Sequence, residues 1–368
     1  MLLSIETSCD ETAVALLDPT SFESDLGGIV RYEAISSQAE LHRPYGGVVP
    51  ELAARNHTEV LGPMVEEALG QTGLSLADIC AVAVTVGPGL KGCLLVGTTF
   101  AKSLAYRLGV PLIPVNHLLG HLAACDLRPP SERPAFPRVT LLVSGGHTAL
   151  LHTENERRLP TALAQTRDDA AGEAFDKTAT LLGLPYPGGP ALSHLAASGD
   201  PAAFELPRGV AADPASFSFS GFKTAVRRIV EELATAHALD TRRSDVAASV
   251  ERAIVETLID KTRFHLQSVP ARSLILTGGV AANKLLRTAM SELARSAGVD
   301  FHTPPLVHCT DNAAMIGAEA LQIRSRKSAA FASWEPRATP THFLGPDVSA
   351  TLGVRPRWPI EEGWNIPQ

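Results

Sequence analysis

The alternation of apolar and polar positions lays out most of the architecture. Short apolar runs recur, each ending in small polar residues or glycine. Leu2–Ile5 ends in Glu6-Thr7-Ser8, Thr140–Val143 in Ser144-Gly145-Gly146-His147-Thr148, and Leu274–Leu276 in Thr277-Gly278-Gly279. After the first two, alternation resumes at once over Ala13–Leu17 and Ala149–Leu151, which predicts hairpins with tight polar turns. After the third, Asn283-Lys284-Leu285-Leu286-Arg287 begins a helix that Gly298 ends. A fourth run, Ala81–Val86, breaks at Gly87-Pro88-Gly89-Leu90-Lys91-Gly92 into a helical pattern reaching Leu108. Val246, Val250, Ala253, Ile254, Thr257 and Leu258 keep helical spacing, so a helix is expected over Ser244–Leu266 with Ser244 as N-cap. Alternating strands and helices make this an α/β chain. Two related strand-turn-strand starts suggest a duplicated fold with a cleft between lobes.

The proline-rich, charged stretch Leu127–Arg138 marks a junction. We read residues 1–126 as an N-terminal lobe, 127–305 as a second lobe, and 306–368 as a segment returning to the first. The tail carries Pro336, Pro340, Pro346 and Pro356 and is expected to run irregularly over the surface. Of the 368 residues, 45% are hydrophobic and 19% charged, which gives a well-cored soluble protein. The net charge of −7 carries no global nucleic-acid signature. Arg227-Arg228, Arg242-Arg243 and Arg324-Ser325-Arg326-Lys327 are local basic patches; a solvated helix face is the plainer meaning of each. Five cysteines without paired spacing suggest a reducing compartment. Met1–Glu6 reads as a first strand, not a signal peptide, and no run nears the ~18 apolar residues of a membrane span. A cytoplasmic protein is expected.

The chemistry concentrates first in Asn116-His117-Leu118-Leu119-Gly120-His121. On a helix capped by Asn116, His117 and His121 share one face and reach one metal ion. No glutamate follows His117, so this is not the zinc-protease pattern. A third ligand is needed, and Asp311, His308 and Asp10 compete for the place. Asp311 stands at a helix start, where its ordinary role is capping. The Ser144-Gly145-Gly146 turn offers backbone N–H groups for an anion, and a Cβ at either glycine is expected to crowd the anion or forbid positive φ. Asp168-Asp169-Ala170-Ala171-Gly172-Glu173-Ala174-Phe175-Asp176-Lys177 packs five charges into a segment that otherwise reads as helical and apolar. Pro185, Pro187, Gly188, Gly189 and Pro190 then form a rigid turn with bare backbone.

Together these segments resemble the TsaD-type tRNA threonylcarbamoyltransferases, relatives of the Kae-type family and formerly labelled glycoproteases. Ser4–Thr12, Tyr45–His57, Gly87–Leu90, Asn116–His121, Val143–Thr148, Asp168–Lys177, Tyr186–Pro190, Phe217–Lys223, Thr277–Asn283 and Thr310–Met315 stand in family order over nearly the whole chain. The resemblance implies a duplicated two-lobed fold of the actin, sugar-kinase and Hsp70 type, with central mixed sheets. It implies transfer of a threonylcarbamoyl group from threonylcarbamoyl-adenylate to tRNA, at the exocyclic amine of the adenosine 3′ of the anticodon, in tRNAs reading ANN codons. It implies one Fe(II) or Zn(II) ion per subunit on His117, His121 and Asp311. Val143, Ser144, Gly145, Gly146, His147, Asp176, Gly189 and Asn283 would hold the adenylate. Its partners would be a paralogous TsaB-type subunit, a small TsaE-type ATPase and tRNA, with a homodimer also in view.

Two departures stand out. Leu142 replaces a tyrosine that joins the metal site in the archaeal branch, and Ser193 stands where many bacterial members have a substrate-binding aspartate. Sequence leaves the proton acceptor of the transfer unassigned. The alternative reading is a metal-dependent small-molecule kinase or hydrolase on the same fold.

Overall fold

Leu2, Leu3, Ser4, Ile5 and Glu6 have essentially no solvent exposure, and this buried strand organises the first half of the fold. A computed structural model describes residues 1–25, 27–208, 213, 215–326 and 353–360. Contacts divide the chain into two units. One comprises Met1–His42, Val48–Arg133 and Asp311–Gln368; the other comprises Arg43–Gly47 and Pro134–Thr310. The changeovers fall at Arg133/Pro134 and Thr310/Asp311, and Arg43–Gly47 groups with the second unit.

The first unit holds β1 (Leu2–Glu6), β2 (Glu11–Leu17), β3 (Val30–Ser37), β4 (Ala81–Gly87) and β5 (Leu112–Asn116) in the order β3-β2-β1-β4-β5. β1, β2 and β3 pair antiparallel, whereas β4 and β5 continue the sheet in parallel. Successive side chains leave opposite faces of a strand. Leu2, Ala13, Ala15, Leu17, Ala81, Ala83, Ile113 and Val115 accordingly join one core, and Leu3, Ile5, Val14, Leu16, Val82 and Val84 the other. The unit's helices are α1 (Pro19–Phe22), α2 (Ala39–His42), α3 (Pro50–Thr72), α4 (Lys91–Leu108), α5 (His117–Ala123) and α11 (Ala313–Arg326). α11 is alanine-rich and fits closely: a Cβ on Gly317 would collide with the Leu17 side chain.

The second unit repeats the plan. β6 (Arg138–Val143), β7 (Thr148–Thr153), β8 (Thr161–Thr166), β9 (Ser216–Phe217), β10 (Ser273–Thr277) and β11 (Asp300–His302) stand in the order β11-β10-β6-β7-β8-β9. The β6–β7–β8 meander is antiparallel, and β10 and β11 extend it in parallel. Helices α6 (Ala171–Leu181), α7 (Gly188–Ala196), α8 (Ser220–Thr235), α9 (Leu239–Leu266) and α10 (Lys284–Ala297) complete it. Its core includes the buried Phe217, Phe219 and Phe222, whose neighbouring ring centroids lie 6.3 and 6.0 Å apart.

Two expectations need correction. α9 begins at Leu239, so Ser244 is inside the helix rather than its cap. Its first turns are half-exposed and held by an Arg242–Asp245 ion pair at 2.6 Å, so no apolar period announces them. The tail is not wholly superficial. Trp358 and Ile360 are buried, and the Arg355 N–H donates to the Val86 carbonyl at 2.7 Å, where β4 ends. Pro336, Pro340 and Pro346 lie outside the described residues. Among the described residues, no helix is long and apolar enough to cross a membrane. No disulfide joins the cysteines.

Candidate functional site

β5 ends at Asn116, whose Oδ1 accepts the N–H groups of Leu118 (2.9 Å) and Leu119 (3.3 Å). That cap starts α5 at His117. His117 and His121 then share a face, their rings edge-to-face with centroids 4.8 Å apart. Asp311 meets them from another part of the chain. The cap of α11 is not Asp311: Asn312 Oδ1 accepts the Met315 N–H at 2.8 Å. Asp311 Oδ1 stands 3.1 Å from His121 Nε2 and 3.5 Å from His117 Nε2. Gly120, between the histidines, permits the approach, because a Cβ there would lie 2.8 Å from Ile316 Cδ1 on α11. Ser4 Oγ pins the start of α11 by donating to the Ala313 carbonyl at 2.7 Å.

One ligand atom from each of His117, His121 and Asp311 lies within 4.8 Å of the others. Asp10 is not a member of this group, and His308 belongs to the other unit. Burial alone would lower the His117 pKa, but the Asp311 and Glu6 carboxylates raise it well above the usual imidazole value. Burial likewise pushes Asp311 up, and His117 and His121 outweigh it, holding Asp311 well below the carboxylate range. Two imidazole nitrogens and a carboxylate oxygen are donors suited to Fe(II) or Zn(II), and three ligands leave a position open. The residues present fit such an ion.

In the second unit, the Ser144–His147 turn joins β6 to β7. The Ser144 N–H donates to the His147 carbonyl (2.8 Å), and Ser144 Oγ accepts the His147 N–H (3.1 Å). The start of α6 is seated against it. Thr148 Oγ1 accepts the Ala171 N–H at 2.8 Å, and a Cβ on Gly172 would lie 2.5 Å from the Ser144 carbonyl oxygen. A Cβ on Gly278, whose φ is +92°, would collide with the Val143 carbonyl. Gly145 and Gly146 adopt no left-handed backbone, and a Cβ at either meets nothing within 4 Å. The positive φ expected of them is therefore absent, and the close approaches within the protein fall on Gly172 and Gly278.

Asp176 Oδ1 accepts the Gly188 (2.9 Å) and Gly189 (3.3 Å) N–H groups at the start of α7. Ser193, one turn on, accepts from Asn283 Nδ2 at 3.0 Å. Asn283 Nδ2 also reaches Glu251 Oε1 at 2.7 Å, while its Oδ1 caps α10 through the Leu286 N–H at 2.9 Å. α7 thus links Asp176, Gly189, Ser193 and Asn283 into one bonded group. Glu251 is the member that sequence missed, since a glutamate within a long helix carries no local signal.

Residues 30–318 match the family described as TsaD, tRNA N6-adenosine threonylcarbamoyltransferase. A relative of that name from Moorella thermoacetica is 51% identical over 322 residues, covering 87% of this chain and 90% of its own. The chain belongs to this family. A second relative of the same name, from Rhodospirillum rubrum, is 44% identical over 369 residues and covers 98% of this chain and 94% of its own. Among solved structures, HypF from T. kodakarensis superposes with a TM-score of 0.57 at 16% identity, over 88% of this chain and 48% of that one. That likeness concerns the fold alone, which is the actin-like α/β fold.

The charged segments of this family member resolve into local structure. Asp168 accepts the N–H groups of Phe219 (2.7 Å) and Ser220 (3.3 Å) and the hydroxyls of Ser218 (2.5 Å) and Ser220 (2.9 Å). Lys177 pairs with Asp169 at 2.7 Å and Glu173 at 2.9 Å. Burial pushes the Asp168 pKa up, but those hydrogen bonds outweigh it and leave it lowered. A depressed carboxylate contributes stability above its unfolded pKa and loses it as pH falls through the folded one. Asp168→Ala is therefore expected to cost on the order of 1 kcal/mol, as a lost helix cap does. The Tm gap to wild type should be full at neutral pH and close in acid; a gap independent of pH would refute the assignment.

Of the basic patches, Arg242 pairs with Asp245, and Arg243 donates to the Leu182 carbonyl. Arg324 stands 3.6 Å from Glu23, and Arg326 2.9 Å from the buried Glu319. Arg227 and Arg228 on α8 face solvent, and Lys327 lies outside the described residues.

Proposed function

We propose that this chain transfers the threonylcarbamoyl group of threonylcarbamoyl-adenylate to the exocyclic amine of the adenosine 3′ of the anticodon, in tRNAs reading ANN codons. The observation that carries the reading is the family match over residues 30–318, at 51% identity to a relative of that name. The clustering of His117, His121 and Asp311 supports a metal site within it.

The donor is a mixed carbamic–phosphoric anhydride and is already activated. The protein therefore has mainly to position two substrates and to stabilise charge on the reacting carbonyl. His117, His121 and Asp311 would hold one Fe(II) or Zn(II) ion. Such an ion, when bound, supplies Lewis-acid polarisation of a carbonyl oxygen. The Ser144-Gly145-Gly146 turn presents backbone without side-chain cover to the adenylate phosphate, with Val143 and His147 flanking it. Asp176 holds the Gly188–Gly189 backbone in place, and Ser193 and Asn283 form the other wall. Ser193 offers a hydroxyl where many bacterial relatives have a carboxylate, so it contributes a neutral hydrogen bond. We place the protein in the cytoplasm and assign it a TsaB-type paralogue and a TsaE-type ATPase as partners.

The test is nucleoside mass spectrometry after incubating the purified chain and its partners with tRNA and threonylcarbamoyl-adenylate. Absence of threonylcarbamoyladenosine from a folded, metal-loaded preparation would sink the proposal. Non-specific RNA affinity comes from neutralising phosphates, and this chain carries a net charge of −7. The chain alone should therefore bind tRNA weakly, with a steep loss on added salt. Arg227→Glu should weaken that binding further. Arg326→Glu is an unsuitable probe, since it would place a second acid against buried Glu319. Tight, salt-insensitive binding by the isolated chain would contradict this expectation.

A further inference from the structure

Glu6 closes β1, and its side chain is completely removed from solvent. Oε1 accepts the Ser8 N–H at 2.5 Å, and Oε2 accepts the Thr85 hydroxyl at 2.5 Å. Oε2 also stands 3.1 Å from His117 Nδ1. Ser8 Oγ is 3.2 Å from the same nitrogen. Two donors from different parts of the first unit thus fix the carboxylate in one orientation. An ionised carboxylate has no hydrogen to give, so the proton on the Glu6–His117 contact belongs to Nδ1. The other nitrogen, Nε2, is the one that approaches Asp311, at 3.5 Å.

We propose that Glu6 is a positioning residue: it holds His117 with a proton on Nδ1, so that Nε2 is the atom offered to the metal. The proposal rests on the metal-site reading above. Ligating histidines commonly give their second N–H to a carboxylate, which fixes both tautomer and ring orientation. Here the partner is itself buttressed, so the effect of a near-isosteric change can be derived. In Glu6→Gln, the Ser8 N–H cannot reverse, so the amide oxygen must turn toward it. The amide NH2 then faces Nδ1 and asks that nitrogen to accept. His117 would be driven to carry its proton on Nε2, where it blocks a metal bond.

The measurement is Zn(II) affinity by competition with a chromophoric chelator, for wild type, Glu6→Gln and Thr85→Val. Glu6→Gln should bind about 10–100-fold more weakly, the range typical of removing a ligand's carboxylate partner. Thr85→Val removes a donor but leaves the carboxylate, and should bind close to wild type. Long-range 1H–15N spectra of the Zn(II)-loaded wild type should show His117 bound through Nε2 with Nδ1 protonated. That readout stands even where Glu6→Gln does not fold, and a merely structural role for Glu6 would not set it. His117 bound through Nδ1, or a folded Glu6→Gln with wild-type affinity, would overturn the proposal. A wild type that takes up no Zn(II) would remove the metal reading itself, and this proposal with it.

Discussion

His117→Ala is expected to abolish transfer while the protein stays folded. The loss should be at least about 10²-fold, the scale seen when a stabiliser of charge at a reacting carbonyl is removed. The metal content of the purified variant should fall in step. The fold survives because α5 keeps its Asn116 cap and Gly120 still lets it approach α11. Glu6 loses one partner but keeps Thr85 and Ser8. Some stability goes with the buried imidazole, since Asp311 then keeps only His121 of its two histidines. Mass spectrometry of the tRNA nucleosides, beside metal analysis and thermal melting, reads all three effects. Modification retained with the metal lost would mean that the ion is not needed. Modification and metal both retained would remove His117 from the site.

Gly145→Val should weaken threonylcarbamoyl-adenylate binding severely without touching the fold. A Cβ at this position meets nothing within 4 Å beyond its chain neighbours, and Gly145 is not among the glycines with positive φ. Any loss of affinity therefore reports crowding of the ligand rather than distortion of the turn. Gly278→Ala provides the contrast. It would put a side chain at φ +92° and into the Val143 carbonyl, so the joint between β6 and β10 should fail. That variant is expected to lose several degrees of Tm as well as binding. Calorimetry on folded Gly145→Val decides the matter: unchanged affinity would reduce the Ser144–His147 turn to a hairpin connection.

Much of this protein was determined by short-range pattern. The hairpins at Leu2–Leu17 and Thr140–Leu151 follow from period-two alternation broken by small polar residues, and both are present in the structure. His117 and His121 could be paired from spacing alone, because a four-residue step on a helix is a fixed geometry. The order of motifs along the chain likewise carried the family, which the relatives then showed.

Where spacing stopped, tertiary structure decided. Asp311, Asp10 and His308 were equivalent candidates along the sequence. Asp311 is 190 residues from His121, and only the packing of α11 beside α5 brings them to 3.1 Å. Position at a helix start gave Asp311 the ordinary role of capping; the helix takes Asn312 as its cap and leaves the carboxylate to the imidazoles. Among the glycines, the motif pointed at Gly145 and Gly146, whereas the backbone needs Gly172 and Gly278, because close approach depends on what lies opposite. Glu6 gave no sign of its contact with His117, for the end of a strand looks the same whether its carboxylate meets water or a histidine. A local pattern records which way a side chain leaves the backbone, and only the folded chain supplies what it meets.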